Sequence, residues 1–215
     1  MKKRMTALLL ALMLLLSNTG AATAAQKDSF TDVPEGAYYY DAVNWAVEND
    51  ITQGVGDGLF APNTTCSRAQ VVTFLWRLDG KPAASGKSTF TDVPKDAYYD
   101  DAVNWAVEND ITQGTGDGQF QPVGTCSRAQ IVTFLWRYAG KPASDAETPF
   151  TDVDEGSWYA DAVAWAVEQG ITTGQTETTF GPSQPCNRAQ VVTFLHRYVV
   201  NVEPPVDDPD MGEWA

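Results

Sequence analysis

The chain repeats itself every 60 residues, and it does so three times. Phe30, Phe90 and Phe150 open the units, and Ile51, Ile111 and Ile171 mark their middles. Phe60, Phe120 and Phe180 follow, then Cys66, Cys126 and Cys186, then Arg68, Arg128 and Arg188. Self-similarity at a fixed period means one small supersecondary unit used three times. A unit of roughly 50 residues is near the lower limit for folding alone, so it is expected to bury its apolar face against its neighbours. The units are read as 28–80, 88–140 and 148–200, which replaces the one or two ordinary domains that 215 residues would otherwise suggest.

Each unit reads as helix, loop, helix. The first helix is expected over about Tyr39 to Asn49, with equivalents starting near Tyr99 and Tyr159. Ala42, Val43, Ala46 and Val47 make one apolar stripe at helical spacing, and Trp45 widens it. In the third unit Ser157 is the expected N-cap and Gly170 the expected C-cap, where the first two units have Asp50 and Asp110. The loop then reads Gly-Val-Gly-Asp-Gly at 54–58 and Gly-Thr-Gly-Asp-Gly at 114–118, both turn signals. Unit three has Gly174-Gln175-Thr176-Glu177-Thr178 and must turn differently. One or two carboxylates in such a loop fall short of the six to eight oxygens calcium takes, so no metal is expected. The second helix opens on Ser67-Arg68-Ala69-Gln70, in which Ser67 at the cap and Gln70 three residues on form a capping box. Ser127 with Gln130, and Asn187 with Gln190, repeat it. The linkers near 80–89 and 140–149 are rich in Ala, Ser, Lys and Pro.

The ends differ from the repeats. Lys2, Lys3 and Arg4 precede a short apolar run and then Ala22-Thr23-Ala24, the pattern of a secretory signal peptide over residues 1–24. The run is too short for a membrane span, so no transmembrane anchor is expected after cleavage. Residues 201–215 are acidic and Pro-rich and read as a disordered tail, the start of a linker to a cargo domain that the sequence does not name. Cleavage leaves 11 bases against 28 acids. That balance argues against a nucleic-acid surface.

The six arginines beyond residue 24 all lie in the second helices, as Arg68 and Arg77, Arg128 and Arg137, Arg188 and Arg197. Nine positions along a helix is half a turn around it, so the two members of a pair face opposite ways. Arg68 sits in the first turn, where free N–H groups and the positive dipole end favour an anion. A cation there makes sense if it grips a carboxylate or phosphate bidentately. It makes equal sense as a salt bridge to a neighbouring unit, for which Asp32 and Glu48 are candidates. Tyr38, Tyr98 and Trp158 share one position beside the first helix, and aromatic faces near an anion site suit sugar rings. Trp45, Trp105 and Trp165 read as repeat core. Trp76, Trp136 and His196 read as half-exposed packing.

Three cysteines cannot all pair within one chain, and the expected role is a small buried apolar position. A single His leaves no Ser-His-Asp set. Asp32, Asp92 and Asp152 read as turn or cap residues after Phe, and Asp41, Asp101 and Asp161 as first-turn helix residues. Threefold use of the same acids favours structure over one catalytic centre. No enzyme and no cofactor is expected.

These residues carry a resemblance. Phe30-Thr31-Asp32-Val33, Tyr38, a Gly-rich loop ending at Phe60-x-Pro62, and Ser67-Arg68-Ala69-Gln70 are similar to the S-layer homology module of bacterial surface proteins. Phe90, Tyr98, Phe120-x-Pro122 and Ser127-Arg128-Ala129-Gln130 repeat the match, as do Phe150, Trp158, Phe180-x-Pro182 and Asn187-Arg188-Ala189-Gln190. The resemblance implies a mainly α fold with three helix-loop-helix repeats in a pseudo-threefold arrangement around a central helical bundle. It implies a secreted protein held at the bacterial cell wall by non-covalent binding of anionic secondary cell-wall polysaccharide attached to peptidoglycan, often with pyruvylated sugars, in grooves between units. Arg68, Arg128 and Arg188 match the arginine of the family's Thr-Arg-Ala-Glu motif and would bind the ligand, with Ser67, Ser127, Asn187, Gln70, Gln130, Gln190, Tyr38, Tyr98 and Trp158 around them. The departures are Ser or Asn for Thr, Gln for Glu, a Cys for the usual aliphatic residue, and a third unit without its Asp-Gly turn, whose groove is expected to be weakened. The alternative reading is a surface structural or protein-interaction domain that binds no glycan.

Overall fold

The computed structural model describes residues 30–202. The signal-peptide reading lies outside them, and so does the tail beyond Val202. Each unit supplies two helices. They are α1 (Tyr40–Glu48) and α2 (Arg68–Leu78), α3 (Asp100–Glu108) and α4 (Arg128–Tyr138), and α5 (Ala160–Glu168) and α6 (Arg188–Asn201). Among the described residues the remaining regular pairing is a set of isolated bridges, so the fold is mainly helical. Helix α6 continues through Asn201, one residue past the expected unit boundary, because unit three lacks the Gly-Lys-Pro that ends α2 and α4.

The first helices are short and start on an uncapped Tyr. Ser157 does not cap α5 as the sequence suggested. Its hydroxyl donates to the Asp154 carbonyl at 2.7 Å, closing the turn before the helix, and Tyr159 takes the N-cap position. At the C-terminal end Gly170 has φ 64°, as expected, and Asp50 and Asp110, though less suited to it than Gly, take the same left-handed geometry at 57° and 56°. The second helices carry the full capping box: Ser67, Ser127 and Asn187 each accept from the third residue's N–H, and each receives that Gln's carbonyl oxygen on its own N–H.

Packing is between units rather than within them. Helix α3 lies on α2 and α5 lies on α4, so each first helix rests on the second helix of the unit before it. Helix α1 rests on α6, which closes the circuit from the first unit to the last. Helix α4 touches both α2 and α6. Where the units meet, Cys66 N–H donates to the Cys186 carbonyl, Cys126 N–H to that of Cys66, and Cys186 N–H to that of Cys126, each at 2.9 Å. The three thiols are free and fully buried. Burial pushes Cys66 and Cys186 up to about 12, and raises Cys126 with help from the other two thiols.

The loop between the helices is held by the opening Phe-x-Asp. Asp32 accepts from the N–H groups of Phe60 and Ala61 at 2.8 and 2.7 Å, and Asp92 and Asp152 do the same for Phe120–Gln121 and Phe180–Gly181. Gly54, Gly114 and Gly174 lie in the left-handed region with the opening Phe ring against them, 2.5 Å from where a Cβ would stand.

Candidate binding grooves between units

Arg68, Arg128 and Arg188 are only 3–4% exposed. Each reaches out of its own unit. Arg68 Nε donates to the Phe120 carbonyl at 2.8 Å, Arg128 Nε to that of Phe180 at 2.7 Å, and Arg188 Nε to that of Phe60 at 2.8 Å. The guanidinium carbon of Arg68 stands 4.9 Å from the centre of the Phe120 ring and 5.3 Å from that of Phe134. Arg128 and Arg188 repeat this with Phe180 and Phe194, and with Phe60 and Phe74. Arg128 Nη2 also meets the Thr172 hydroxyl at 3.3 Å, and Arg188 Nη2 that of Thr52 at 3.2 Å. Burial lowers all three pKa values, with the nearest thiol and an aspartate opposing. Arginine keeps its charge in proteins, so all three remain cationic.

The salt-bridge alternative does not describe these bonds. Carbonyl and hydroxyl oxygens take them, and Asp32, Asp92 and Asp152 are committed to the loop N–H groups. The anion argument needs correction too. The N–H groups expected to be free at the second helix are used across the unit boundary: Arg68 N–H donates to the Gly124 carbonyl at 2.8 Å and Ala69 N–H to that of Pro122 at 3.0 Å. Units two and three do likewise, and the third N–H goes to the cap. The helix start is therefore a joint between units, and it offers no open N–H to a ligand.

The open space lies beside this joint. One groove of roughly 310 Å³ is lined by Arg68 from unit one, by Thr112, Gly114, Thr115, Gln130, Thr133, Phe134 and Arg137 from unit two, and by Trp158 from unit three. A second, of roughly 340 Å³, has Arg128 from unit two, residues 172–175 with Gln190, Thr193, Phe194 and Arg197 from unit three, and Tyr38 from unit one. Every one of these grooves thus takes side chains from all three units. Tyr38, Tyr98 and Trp158 are 64, 63 and 61% exposed, as wall or rim residues should be. Tyr98, the counterpart of Tyr38 and Trp158, lies near Arg77. Ser67, Ser127 and Asn187 face their own helices as caps, while Gln130 and Gln190 combine capping with a place in a groove.

Sequence reasoning missed the second guanidinium. Arg137 shares a groove with Arg68, and Arg197 shares one with Arg128. The two members of a pair do leave their helix on opposite sides. Because each groove is built across a boundary, the first-turn Arg of one unit meets the last-turn Arg of the next. Each of Arg77, Arg137 and Arg197 is steadied by the carbonyl of its own unit's Ile51, Ile111 or Ile171 at 3.1–3.3 Å. The altered loop of unit three also belongs elsewhere than expected: it walls the Arg128 groove, not that of Arg188. It keeps its shape through Gln175 N–H and Thr176 N–H donating to the Thr179 carbonyl.

The sequence pattern that builds these units recurs in known proteins. The family model described as the S-layer homology domain matches residues 29–72, 89–132 and 149–192. The chain belongs to the S-layer homology domain family. Each match begins just before the opening Phe and ends inside the second helix, so the family's unit holds both sides of the inter-unit joint. A cell surface protein of Thermoanaerobacter kivui is 34% identical over 150 residues, covering 67% of this chain and 18% of that protein. An S-layer protein of Bacillus thuringiensis subsp. finitimus is 26% identical over 176 residues, 80% of this chain and 21% of the relative. A cellulosome-anchoring protein of Acetivibrio thermocellus is 27% identical over 154 residues, 67% and 34% of the two chains. The chain thus spans 18–34% of the length of these longer relatives. Among the described residues no helix is long and apolar enough to cross a membrane.

Proposed function

We propose that this chain is a non-covalent cell-wall anchoring module, working outside the cell after removal of residues 1–24. Its grooves bind an anionic secondary cell-wall polysaccharide, with pyruvylated sugars as the candidate acidic units. The observation that carries the reading is the convergence of two guanidinium groups from neighbouring units on one groove, with an exposed Tyr or Trp from the third unit beside them. Paired guanidinium groups in a partly desolvated groove suit a carboxylate, threonine hydroxyls and Gln amides suit sugar hydroxyls, and the aromatic face suits the apolar side of a ring. The closed circuit of contacts supports a pseudo-threefold arrangement of the units. The surface and anchoring relatives support the compartment. We read the module as a binder rather than a catalyst. His196 packs on Trp45 with tilted rings whose centres are 5.1 Å apart, and Asp32, Asp92 and Asp152 are fixed in loops.

The second reading, a surface structural or interaction domain without glycan binding, has the burial of Arg68, Arg128 and Arg188 in its favour. Pull-down on purified wall sacculi separates the two, with sacculi stripped of secondary polymer as control. The Arg68, Arg128, Arg188 to Ala triple variant would also cut the inter-unit bonds. A Tyr38, Tyr98, Trp158 to Ala triple variant, altering only exposed rings, therefore runs beside it. Binding to intact sacculi that is lost with the polymer and with the aromatic variant is the expected outcome. Absence of binding by the folded parent protein would reject the anchor in favour of a protein partner.

A further inference from the structure

The three buried cysteines are related by register as well as by their backbone circuit. Isolated antiparallel bridges pair Ser67 with Thr125, Ser127 with Pro185 and Thr65 with Asn187. One residue along from each bridge, Cys66 stands opposite Cys126, Cys126 opposite Cys186, and Cys66 opposite Cys186. Each of these pairs shares one N–H to carbonyl bond at 2.9 Å. Residues opposite one another in antiparallel pairing turn their side chains to the same face, with Cα atoms about 5.5 Å apart where they are hydrogen-bonded. That separation is inside the roughly 4.4–6.8 Å that a disulfide spans. The thiols also lie near enough to act on one another: Cys66 and Cys186 both raise the pKa of Cys126, and Cys66 raises that of Cys186. Among the described residues no group of three such side chains is arranged to hold a metal ion. A bond between two of them is the chemistry this place offers.

We infer that the meeting point is a redox site, in which two of the three cysteines form a disulfide that ties two units together, any pair can supply it, and the third cysteine stays a thiol. The oxidant is a small-molecule disulfide. One cysteine thiolate attacks it, forms a mixed disulfide and releases one small thiol. A second cysteine thiolate attacks the protein sulfur of that mixed disulfide and releases the other small thiol. The two cysteines lose two electrons and two protons, and the small disulfide gains both as two thiols. The third cysteine stands opposite both bonded residues, so its thiolate can attack either sulfur and move the bond to another pair of units without further oxidant. Exchange needs a thiolate, and burial holds all three groups protonated in the closed fold, with no exposed surface. Exchange therefore proceeds before the units close on one another, or when they open. The export proposed above would place the chain where such bonds persist, but the pairing geometry does not depend on it.

Equilibration of the whole chain with mixtures of reduced and oxidised glutathione tests this, started both from folded protein and from urea-unfolded protein diluted into the same buffer. Acid quenching, unfolding, alkylation and mass spectrometry then count the thiols. The expected oxidised product keeps its near-ultraviolet circular dichroism and takes one alkyl group in place of three. Its digest should contain the Cys66–Cys126, Cys126–Cys186 and Cys66–Cys186 cross-links. Each of Cys66→Ala, Cys126→Ala and Cys186→Ala should still form one disulfide, between the two cysteines that remain, and take no alkyl group. The equilibrium constant for forming the bond should be about thirtyfold larger in buffer than in urea, because the fold holds the pair in place. Three alkylated thiols at every glutathione ratio, glutathione adducts in place of a cross-link, or a disulfide whose formation abolishes the near-ultraviolet signal would overturn the site. A single variant that fails to form the bond while the other two succeed would overturn the interchange of pairs.

Discussion

The place where the three units meet and the grooves between them are built from the same repeat, yet they have been treated differently. At the meeting point the units are interchangeable. Cys66, Cys126 and Cys186 are the same residue in the same hydrogen-bonded circuit, each with no exposed surface. In the grooves the units have diverged: Tyr, Tyr and Trp at the rim, and a rebuilt loop in unit three. The difference follows from what each region must satisfy. A change of side chain at the meeting point acts where units join, because each cysteine is fully buried there beside backbone bonded to both other units. A groove residue faces solvent on one side, so one groove can change while the others stay as they are.

The largest expected effect separates the inner and outer walls of one groove. Phe120 is fully buried, packs on Phe90 with ring centres 5.8 Å apart, and lends its carbonyl to Arg68. Phe120→Ala should cost about 3–5 kcal/mol in urea unfolding, whereas Trp158→Ala should stay within about 0.5 kcal/mol. Comparable losses for the two would mean that the rim is structural too, and the contrast would fail.

The next effect belongs to the meeting point. A thiol with an ordinary value of 9.0 that is pushed up to about 12 by burial stays protonated in the folded chain while the unfolded chain ionises. The folded state then binds more protons above about pH 9, so stability falls as pH rises from there toward 12, by about 1.4 kcal/mol per pH unit for each such thiol. Replacing all three cysteines by Ala should flatten this alkaline decline in denaturant titrations at pH 8–11. In the same range the native parent should resist iodoacetamide until it is unfolded. Rapid native alkylation would show that the meeting point opens.

The smallest effect distinguishes one boundary from the other two. His196 stands where units one and two have Trp, against Trp45 of α1, with Asp41 and Arg197 near it. Burial lowers its pKa below 6.5, ahead of the opposing pull of Asp41, so the stabilisation it gives is present above that pH and lost as pH falls below it. His196→Trp should remove this part of the acid dependence of unfolding. An unchanged acid limb would assign it to carboxylates instead.

Much of this could be read from the residues. The capping boxes, the left-handed Gly170, the apolar cysteines and the helix spans all follow from local chemistry, which spacing reports directly. What could not be read was anything fixed by a neighbour. Ser157 looked like a cap because the turn bond to Asp154 leaves no trace in helix spacing. The first N–H groups of α2 looked free because their acceptors, Gly124 and Pro122, lie more than 50 residues away. Spacing shows only that the two arginines of one helix face opposite ways, while the groove pairs Arg137 with Arg68 of the neighbouring unit. The repeat itself held a signal for this: both arginines recur in every unit, so any boundary between units that brings one pair together brings all of them together.

The contact between α1 and α6 sets a limit on growth. Most repeat proteins are open stacks, in which another unit can be added at an end and each addition meets one neighbour. Here the first helix already occupies the surface that a fourth unit would need, and removing a unit leaves two unmatched surfaces instead of one. During synthesis α1 has no seat until the last helix has emerged, so final closure depends on the most distant contact in the chain and is expected to come late and all at once.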